Sequence, residues 1–249
     1  NSIRARLNVL LKWLKKKKPD ILLLQELKAQ EADIPRTELE ELNYNFITFG
    51  QKAYNGVAIL SKYPVSDITY NLPNFDQDKQ SRYIEGFINL DKKGIRVASI
   101  YAPNGNPINS EKYSYKIEWL KKFCNHAEKL LEFEEYTFLG GDFNICPKSL
   151  DAADENLLVN DAVYTAKVKD IYKNIINLGY YDSFRSINPD IPGFTYWDYG
   201  QSFKNDIGVR IDHFLISPYA LDKVDKIYVD KEPRAWDKPS DHTPLVLEI

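Results

Sequence analysis

The chain has 249 residues, 43% hydrophobic and 28% charged, enough to bury a core that needs no staples. Its net charge of −3 argues against a global electrostatic grip on nucleic acid, and Cys124 and Cys146, outside any CxxC pair, argue against a disulfide framework. With His126, His213 and His242 as the only histidines, a histidine-rich metal site gives way to carboxylate-held Mg²⁺ or Mn²⁺.

No apolar run reaches the length of a membrane span and the start does not read as a secretion signal, so the expectation is a cytoplasmic protein without a membrane partner. Residues 2–18 predict a helix with Ser2 as N-cap and Ile3, Leu7, Leu10, Leu11 and Leu14 at helical spacing. Arg4 and Arg6 fall in its first turn, where the dipole disfavours cations, which hints at an anionic partner. Lys15-Lys16-Lys17-Lys18 reads as its solvated last turn. Pro19-Asp20 ends it, and Ile21-Leu22-Leu23-Leu24-Gln25 reads as a buried strand that delivers Glu26 at its end.

A short helix follows within 36–42, then strands at 44–49 and 56–61 with Asn55-Gly56 as a turn signal. Segments 82–90 and 95–101 predict a hairpin through Asp91-Lys92-Lys93-Gly94, and its second strand opens into Tyr101-Ala102-Pro103-Asn104-Gly105. The longest helical pattern is 111–133. After it comes Tyr136-Thr137-Phe138-Leu139-Gly140-Gly141-Asp142-Phe143-Asn144. This stretch reads as a buried strand that stops at two glycines, which leave room for a ligand. Asp142 and Asn144, two apart, would face one side and suit a hard cation, an attacking water or a phosphate oxygen.

Residues 145–166 predict a long irregular loop around Asp151-Ala152-Ala153-Asp154, of a kind that is often functional. A helix at 167–178 precedes the aromatic loop Gly193-Phe194-Thr195-Tyr196-Trp197-Asp198-Tyr199, which reads as a stacking surface. The next strand, 209–216, places His213 on one face and Asp212 on the other. The chain closes with Ser240-Asp241-His242 and a strand at 245–249. No repeat or linker is visible, so one domain spans 1–249.

Strand ends thus deliver Glu26, Tyr101, Asp142 with Asn144, Asp212, and Asp241 with His242. Acids, a phenol, an amide and an imidazole fit metal-assisted phosphodiester hydrolysis, in which a metal offsets phosphate charge and a base prepares water for in-line attack. A serine hydrolase would need a Gly-x-Ser-x-Gly elbow and a nucleotide kinase a Walker loop; the sequence contains neither.

These residues carry a resemblance. Asn1-Ser2-Ile3-Arg4-Ala5-Arg6, Leu24-Gln25-Glu26, Tyr101-Ala102-Pro103-Asn104-Gly105, Gly141-Asp142-Phe143-Asn144, Arg210-Ile211-Asp212-His213 and Ser240-Asp241-His242 run in the order of the endonuclease/exonuclease/phosphatase superfamily. Within it the chain resembles the exonuclease III branch of abasic-site endonucleases, which the opening motif and Tyr196-Trp197-Asp198-Tyr199 favour over phosphoinositide phosphatases or sphingomyelinases.

The resemblance implies an α/β, DNase I-like four-layer sandwich, two mixed sheets face to face with helices outside. It implies a metal site drawn from Glu26, Asp142, Asn144, Asp241 and His242. Asp142 would position or deprotonate the water, Asn144 hold the nucleophile and Tyr101 contact the phosphate. Asp212 would orient His242, which would polarise the scissile phosphate. Arg4 and Asn104 would reach DNA, and Tyr196 and Trp197 would wall the pocket for an extruded abasic sugar. The family begins with a strand carrying a metal-site Asn two residues before the match to Asn1; the sequence starts after it, so one sheet is expected to lack a member.

The resulting expectation is a monomeric, Mg²⁺-dependent DNA-repair nuclease that incises 5′ to abasic sites and trims 3′ ends of duplex DNA. The alternatives are a phosphatase or non-DNA phosphodiesterase of the same fold, or a catalytically impaired DNA-binding protein.

Overall fold

The structure is a computed structural model and describes residues 1–90 and 93–249. Its helices are α1 (Leu7–Lys17), α2 (Arg36–Glu40), α3 (Glu111–Leu131), α4 (Ala166–Asn177), α5 (Ser183–Ile187) and α6 (Pro218–Leu221). Its strands are β1 (Ile21–Gln25), β2 (Asn45–Phe49), β3 (Val57–Ser61), β4 (Val65–Tyr70), β5 (Tyr83–Leu90) and β6 (Lys93–Tyr101). They continue with β7 (Tyr136–Asp142), β8 (Tyr181–Asp182), β9 (Asp212–Ile216), β10 (Lys226–Val229) and β11 (Leu245–Glu248). The predicted connection through Asp91 and Lys92 lies outside the described residues.

One sheet has the order β4-β5-β6-β7-β9-β8 and is mixed, because β6 and β7 run parallel while their other neighbours are antiparallel. Facing it are two antiparallel sheets, β1-β3-β2 and β10-β11, where the resemblance implied a single mixed one. No β1–β11 ladder joins them, and a cavity of about 750 Å³ runs along both strands toward Glu26, Asp142 and His242.

Val57, Ile59, Ile84, Ile88, Val97 and Phe138 fill the space between the facing sheets. Trp13 and Leu14 of α1 cover the small sheet over Ala58 and Leu60. On the far side of the large sheet, Ile117, Leu120 and Phe123 of α3 and Val168 and Ile175 of α4 pack over Ala98, Ile100 and Leu139. The order is therefore helix, sheet, sheet, helix: the four-layer sandwich, with apolar residues alternating along strands that are covered on both faces.

Three local expectations are corrected. Ser2 is not the N-cap of α1: its φ is 54°, and its backbone N–H donates to Glu26 O at 2.6 Å, so the helix starts after Arg6. β7 does not stop at its glycines but runs through them to Asp142. Nor do these glycines open room for a ligand. A Cβ on Gly140 would lie 2.3 Å from the Phe214 ring, and one on Gly141, at φ +141°, would lie 2.1 Å from Ile100 O. They let neighbouring protein approach closely. β4 was not expected, because Val65-Ser66-Asp67-Ile68-Thr69-Tyr70 is an edge strand without strong apolar alternation.

Candidate active site

Strand register assembles the site. Tyr101 is paired across the parallel ladder with Asp142, and Asp142 across the antiparallel ladder with Asp212. The three stand side by side at one end of the mixed sheet, on neighbouring strands. From the facing sheet, β1 delivers Glu26, held at φ 53° just past its last strand residue. Gln25 Nε2 donates to Ser99 Oγ at 2.9 Å and Ser99 Oγ donates to Leu24 O at 2.8 Å, which ties the two sheets together beneath the site. The segment before β11 contributes Asp241 and His242, and a backbone bridge joins His242 to Tyr196.

At the centre, His242 Nδ1 pairs with Asp212 Oδ2 at 2.9 Å and its Nε2 lies 3.9 Å from Asp142 Oδ2. Asp142 is 4% exposed, so its charge depends on these neighbours. Burial, together with the Asp212 and Glu26 charges, outweighs the nearby His242 and the Asn144 N–H and raises its carboxyl to about 7. Burial works against a charge on His242 as well, but Asp212, then Asp142 and Asp241, raise it to about 10. At neutral pH the imidazole is a cation beside a carboxyl that burial raises, a suitable pairing of a general base with an electrostatic stabiliser.

Asn144, at φ 50°, donates from its backbone N–H to Asp142 Oδ1 at 2.8 Å and from its side-chain amide to Asp142 Oδ2 at 3.1 Å and Ala102 O at 2.9 Å. Asn104 approaches Asn144 Oδ1 at 3.5 Å. The Tyr101 hydroxyl donates to Glu26 Oε1. Burial, reinforced by Glu26 and Asp142, holds the Tyr101 phenol well above its ordinary value, so it stays protonated as a donor. Burial also disfavours ionised Glu26, but Tyr101 and Lys28 outweigh it and keep that carboxyl below its usual value.

The fit to a divalent cation rests on Glu26. Its Oε2 is buried without a directed hydrogen bond, and the Lys28 ammonium faces it at 2.9 Å. Asp241 accepts from Asn1 Nδ2 at 2.6 Å, and Asn1 sits where the chain crosses between Asp241 and Glu26. Among the described residues no three His, Cys, Asp or Glu side chains converge as a ligand cage. Asp142, Asn144 and His242 are already engaged with one another or with Asp212. The donor set suits a hard cation bound through one or two carboxylates that keeps several of its waters, as Mg²⁺ does.

The remaining sequence-derived positions divide. Tyr196 is half-buried with its ring 5.1 Å from that of His242, so it borders the site. Trp197 does not wall a pocket: it is fully buried, packed against Phe194 and Phe203, with its indole N–H donating to Asp206 at 3.1 Å. The reason is alternation, since adjacent residues of an extended segment point to opposite sides. A Cβ at Gly208 would lie 2.5 Å from the Trp197 indole nitrogen, so this ring is seated against bare backbone. Arg4 is exposed on the turn before α1, whereas Arg6 lines the cavity and donates to the Tyr199 hydroxyl at 2.9 Å.

Asp151, in the loop taken as a functional candidate, is buried between Arg185 and Arg210, at 2.7 Å from Arg210 Nε. It is a structural anchor. His213 accepts from Arg210 at 2.9 Å, and burial and that cation lower it to about 4, so it is neutral and outside the reacting cluster. The sequence reading places neither Asn1 nor Lys28 at the site and marks Arg6 only as a first-turn cation that hints at an anionic partner. No alternation rule signals Lys28, because Glu26 and Lys28 both take left-handed backbone angles, φ 53° and 50°, and the turn between them brings the two charges together.

Three comparisons bear on this arrangement. The model of the Endonuclease/Exonuclease/phosphatase family matches residues 2–242. Exodeoxyribonuclease III of Haemophilus influenzae is 30% identical over 258 residues, covering 100% of this chain and 97% of the relative. An AP endonuclease from Archaeoglobus fulgidus superposes with a TM-score of 0.94 at 34% identity, over 100% of this chain and 96% of that one. A 3′ phosphatase from Neisseria, bound to a product DNA hairpin, gives the same TM-score at 32% identity with the same coverage. A match over nearly the whole chain, joined to an acid and imidazole cluster at the strand ends, places the chain in the Endonuclease/Exonuclease/phosphatase family, beside its exodeoxyribonuclease III and AP endonuclease members.

Proposed function

We propose that this hydrolytic nuclease is a single-domain, monomeric DNA-repair enzyme that uses Mg²⁺, or Mn²⁺ in its place. It incises duplex DNA 5′ to abasic sites and trims 3′ ends. The observation that carries the reading is the convergence of Asp142, Asp212 and His242, with Asp142 Oδ2 3.9 Å from His242 Nε2, beside the hydrogen-bonded pair of Tyr101 and Glu26.

Glu26 would hold the cation, with Asp241 and Asn1 beside it. When bound, the cation offsets phosphate charge and polarises the phosphoryl oxygen. The ionised Asp142 takes a proton from a water held by Asn144, the water oxygen bonds to phosphorus in line as the bond to the 3′ oxygen breaks, and the departing 3′ oxygen takes up a proton from solvent. His242, kept charged and oriented by Asp212, faces the charge that develops on the phosphoryl oxygens. Tyr101 stays protonated and donates. Asn104 contacts a DNA phosphate, and Tyr196 offers an apolar edge to an extruded abasic sugar, which loses little stacking on leaving the duplex.

A second reading is a 3′-phosphatase acting on DNA ends, favoured by the likeness to the Neisseria enzyme. The same water and imidazole would serve it, with a terminal in place of an internal phosphate. The deciding experiment offers wild type two labelled duplexes, one with a single internal abasic site and one with a 3′ phosphate, with and without Mg²⁺. Strand scission 5′ to the abasic site supports the first reading. Phosphate release alone supports the second.

A further inference from the structure

Lys116 lies on α3, among residues that make the helix's buried face, and it is 0% exposed. An ammonium is rarely taken out of water without a task, because desolvation is costly unless partners compensate. Its partners are specific. Nζ donates to Asn144 O at 2.6 Å and to Asn104 O at 3.0 Å. Burial lowers its ammonium to about 7, and the charges of Asp142 and Asp161 work against that loss.

These two carbonyls belong to different loops. One follows β6 and carries Asn104; the other follows β7 and carries Asn144. The side chains of Asn104 and Asn144 approach at 3.5 Å, and Asn144 Nδ2 also donates to Ala102 O in the first loop. Backbone and side-chain bonds thus close a ring around the Lys116 amine. Gly105 completes the fit. Its φ is +87°, and a Cβ there would lie 2.5 Å from Lys116 Cδ, so the loop passes directly over the lysine stem. Asn144 is itself at φ 50°, a sparsely populated conformation for a residue other than glycine. An ammonium bonded to its carbonyl helps to fix that peptide.

We propose that Lys116 is a positioning residue for the hydrolytic reaction: it clamps the Asn104 and Asn144 loops together and so sets the amide of Asn144 against Asp142. This rests on the reading that Asp142 and Asn144 prepare the water. Lys116 does not reach DNA, because it is buried beneath both loops. Its removal therefore acts chiefly on the chemical step through Asn144 and reaches duplex binding only through the one phosphate contact of Asn104.

The test uses the full chain with Mg²⁺ and compares wild type, Lys116→Met, Asn144→Gly and the double variant. Methionine keeps an unbranched stem and removes the donors; glycine accepts the backbone angle at 144. Lys116→Met should lower single-turnover cleavage by about 100-fold, the scale of a misplacement near 1 Å, with the duplex Kd weakened far less than the rate. The double variant should be no slower than Asn144→Gly alone. Losses that multiply, an unchanged rate, or a Kd that weakens in step with the rate would overturn the proposal.

A second readout is independent of any substrate. Backbone amide exchange across 144–146 should accelerate in Lys116→Met while that of the β6–β7 core stays slow; unchanged protection overturns the proposal even if no duplex tried is cleaved. Should Lys116→Met fail to fold, Lys116→Leu, which also lacks the donors, is measured in the same two ways. Faster exchange at 144–146 supports the clamp, and exchange and rate both at the wild-type level refute it.

Discussion

His242 Nε2 stands 3.9 Å from Asp142 Oδ2, too far for a hydrogen bond and near enough for each charge to act on the other. A water or a phosphoryl oxygen placed between them would meet a base on one side and a cation on the other. The predictions below follow from that gap and from the residues that frame it.

Asp212 and His242 should behave as one unit. Asp212 binds Nδ1 at 2.9 Å, which leaves Nε2 facing the site. Asp212→Asn or His242→Asn should each lower kcat by roughly 10²–10⁴-fold, and the double variant by little more than the worse single one. Fully multiplicative losses, measured under single-turnover conditions, would show that the ring does not depend on Asp212.

The pH–rate profile should be bell-shaped. Asp142 must be ionised to accept a proton, and its carboxyl is raised to about 7, so the rate climbs as pH rises through that value. His242 must be protonated to stabilise the developing charge, and it is raised to about 10, so the rate falls as pH rises through that value. A bound cation's charge would draw the ascending limb to lower pH. In Asp142→Asn the ascending limb should vanish. A profile that keeps it would assign that limb to another group.

Trp197 and Tyr196 should separate cleanly. Trp197 is fully buried, so Trp197→Ala should cost about 3–5 kcal/mol of stability, read from denaturant unfolding. It should leave the preference for abasic over intact duplex unchanged in whatever protein remains folded. Tyr196→Ala should cost less stability and reduce that preference. The reverse pattern would mean that the loop turns its indole outward on binding DNA.

Glu26 should govern the metal. Glu26→Gln keeps the shape and the Tyr101 contact but removes the charge. The Mg²⁺ concentration for half-maximal rate should rise by at least about ten-fold, the scale of weakening seen when a metal site loses a supporting group. An unmoved titration would place the cation elsewhere.

Much of the site was legible because the strands announce their ends. Ile21-Leu22-Leu23-Leu24 is apolar throughout and forms a strand with Glu26 where it stops, although the strand expected to be buried is only half-buried along its length. Asp142 and Asn144 were readable in the same way beyond Phe138 and Leu139. What could not be read required partners distant in sequence. Gly140 and Gly141 serve the Phe214 ring and Ile100 O, contacts set by the pairing of β7 with β6 and β9 and not by their own neighbours. Whether Tyr196 or Trp197 turns inward depends on Gly208 and on the bridge to His242. Lys116 looks in sequence like one more solvated lysine beside Ile117, and only the convergence of two loops over α3 reveals it.

The most direct measurement is single-turnover cleavage of a duplex carrying one abasic site, by wild type and by Asp142→Asn, with Kd taken in parallel. Asparagine keeps the shape at 142 and removes the charge that would accept the proton. Wild type should cut 5′ to the abasic site only when Mg²⁺ is present. Asp142→Asn should bind the same duplex with an unchanged Kd and cut it slower by roughly 10²–10⁴-fold or more. Cleavage by Asp142→Asn at the wild-type rate would contradict the account, since the water would then be prepared by a group other than the one facing His242.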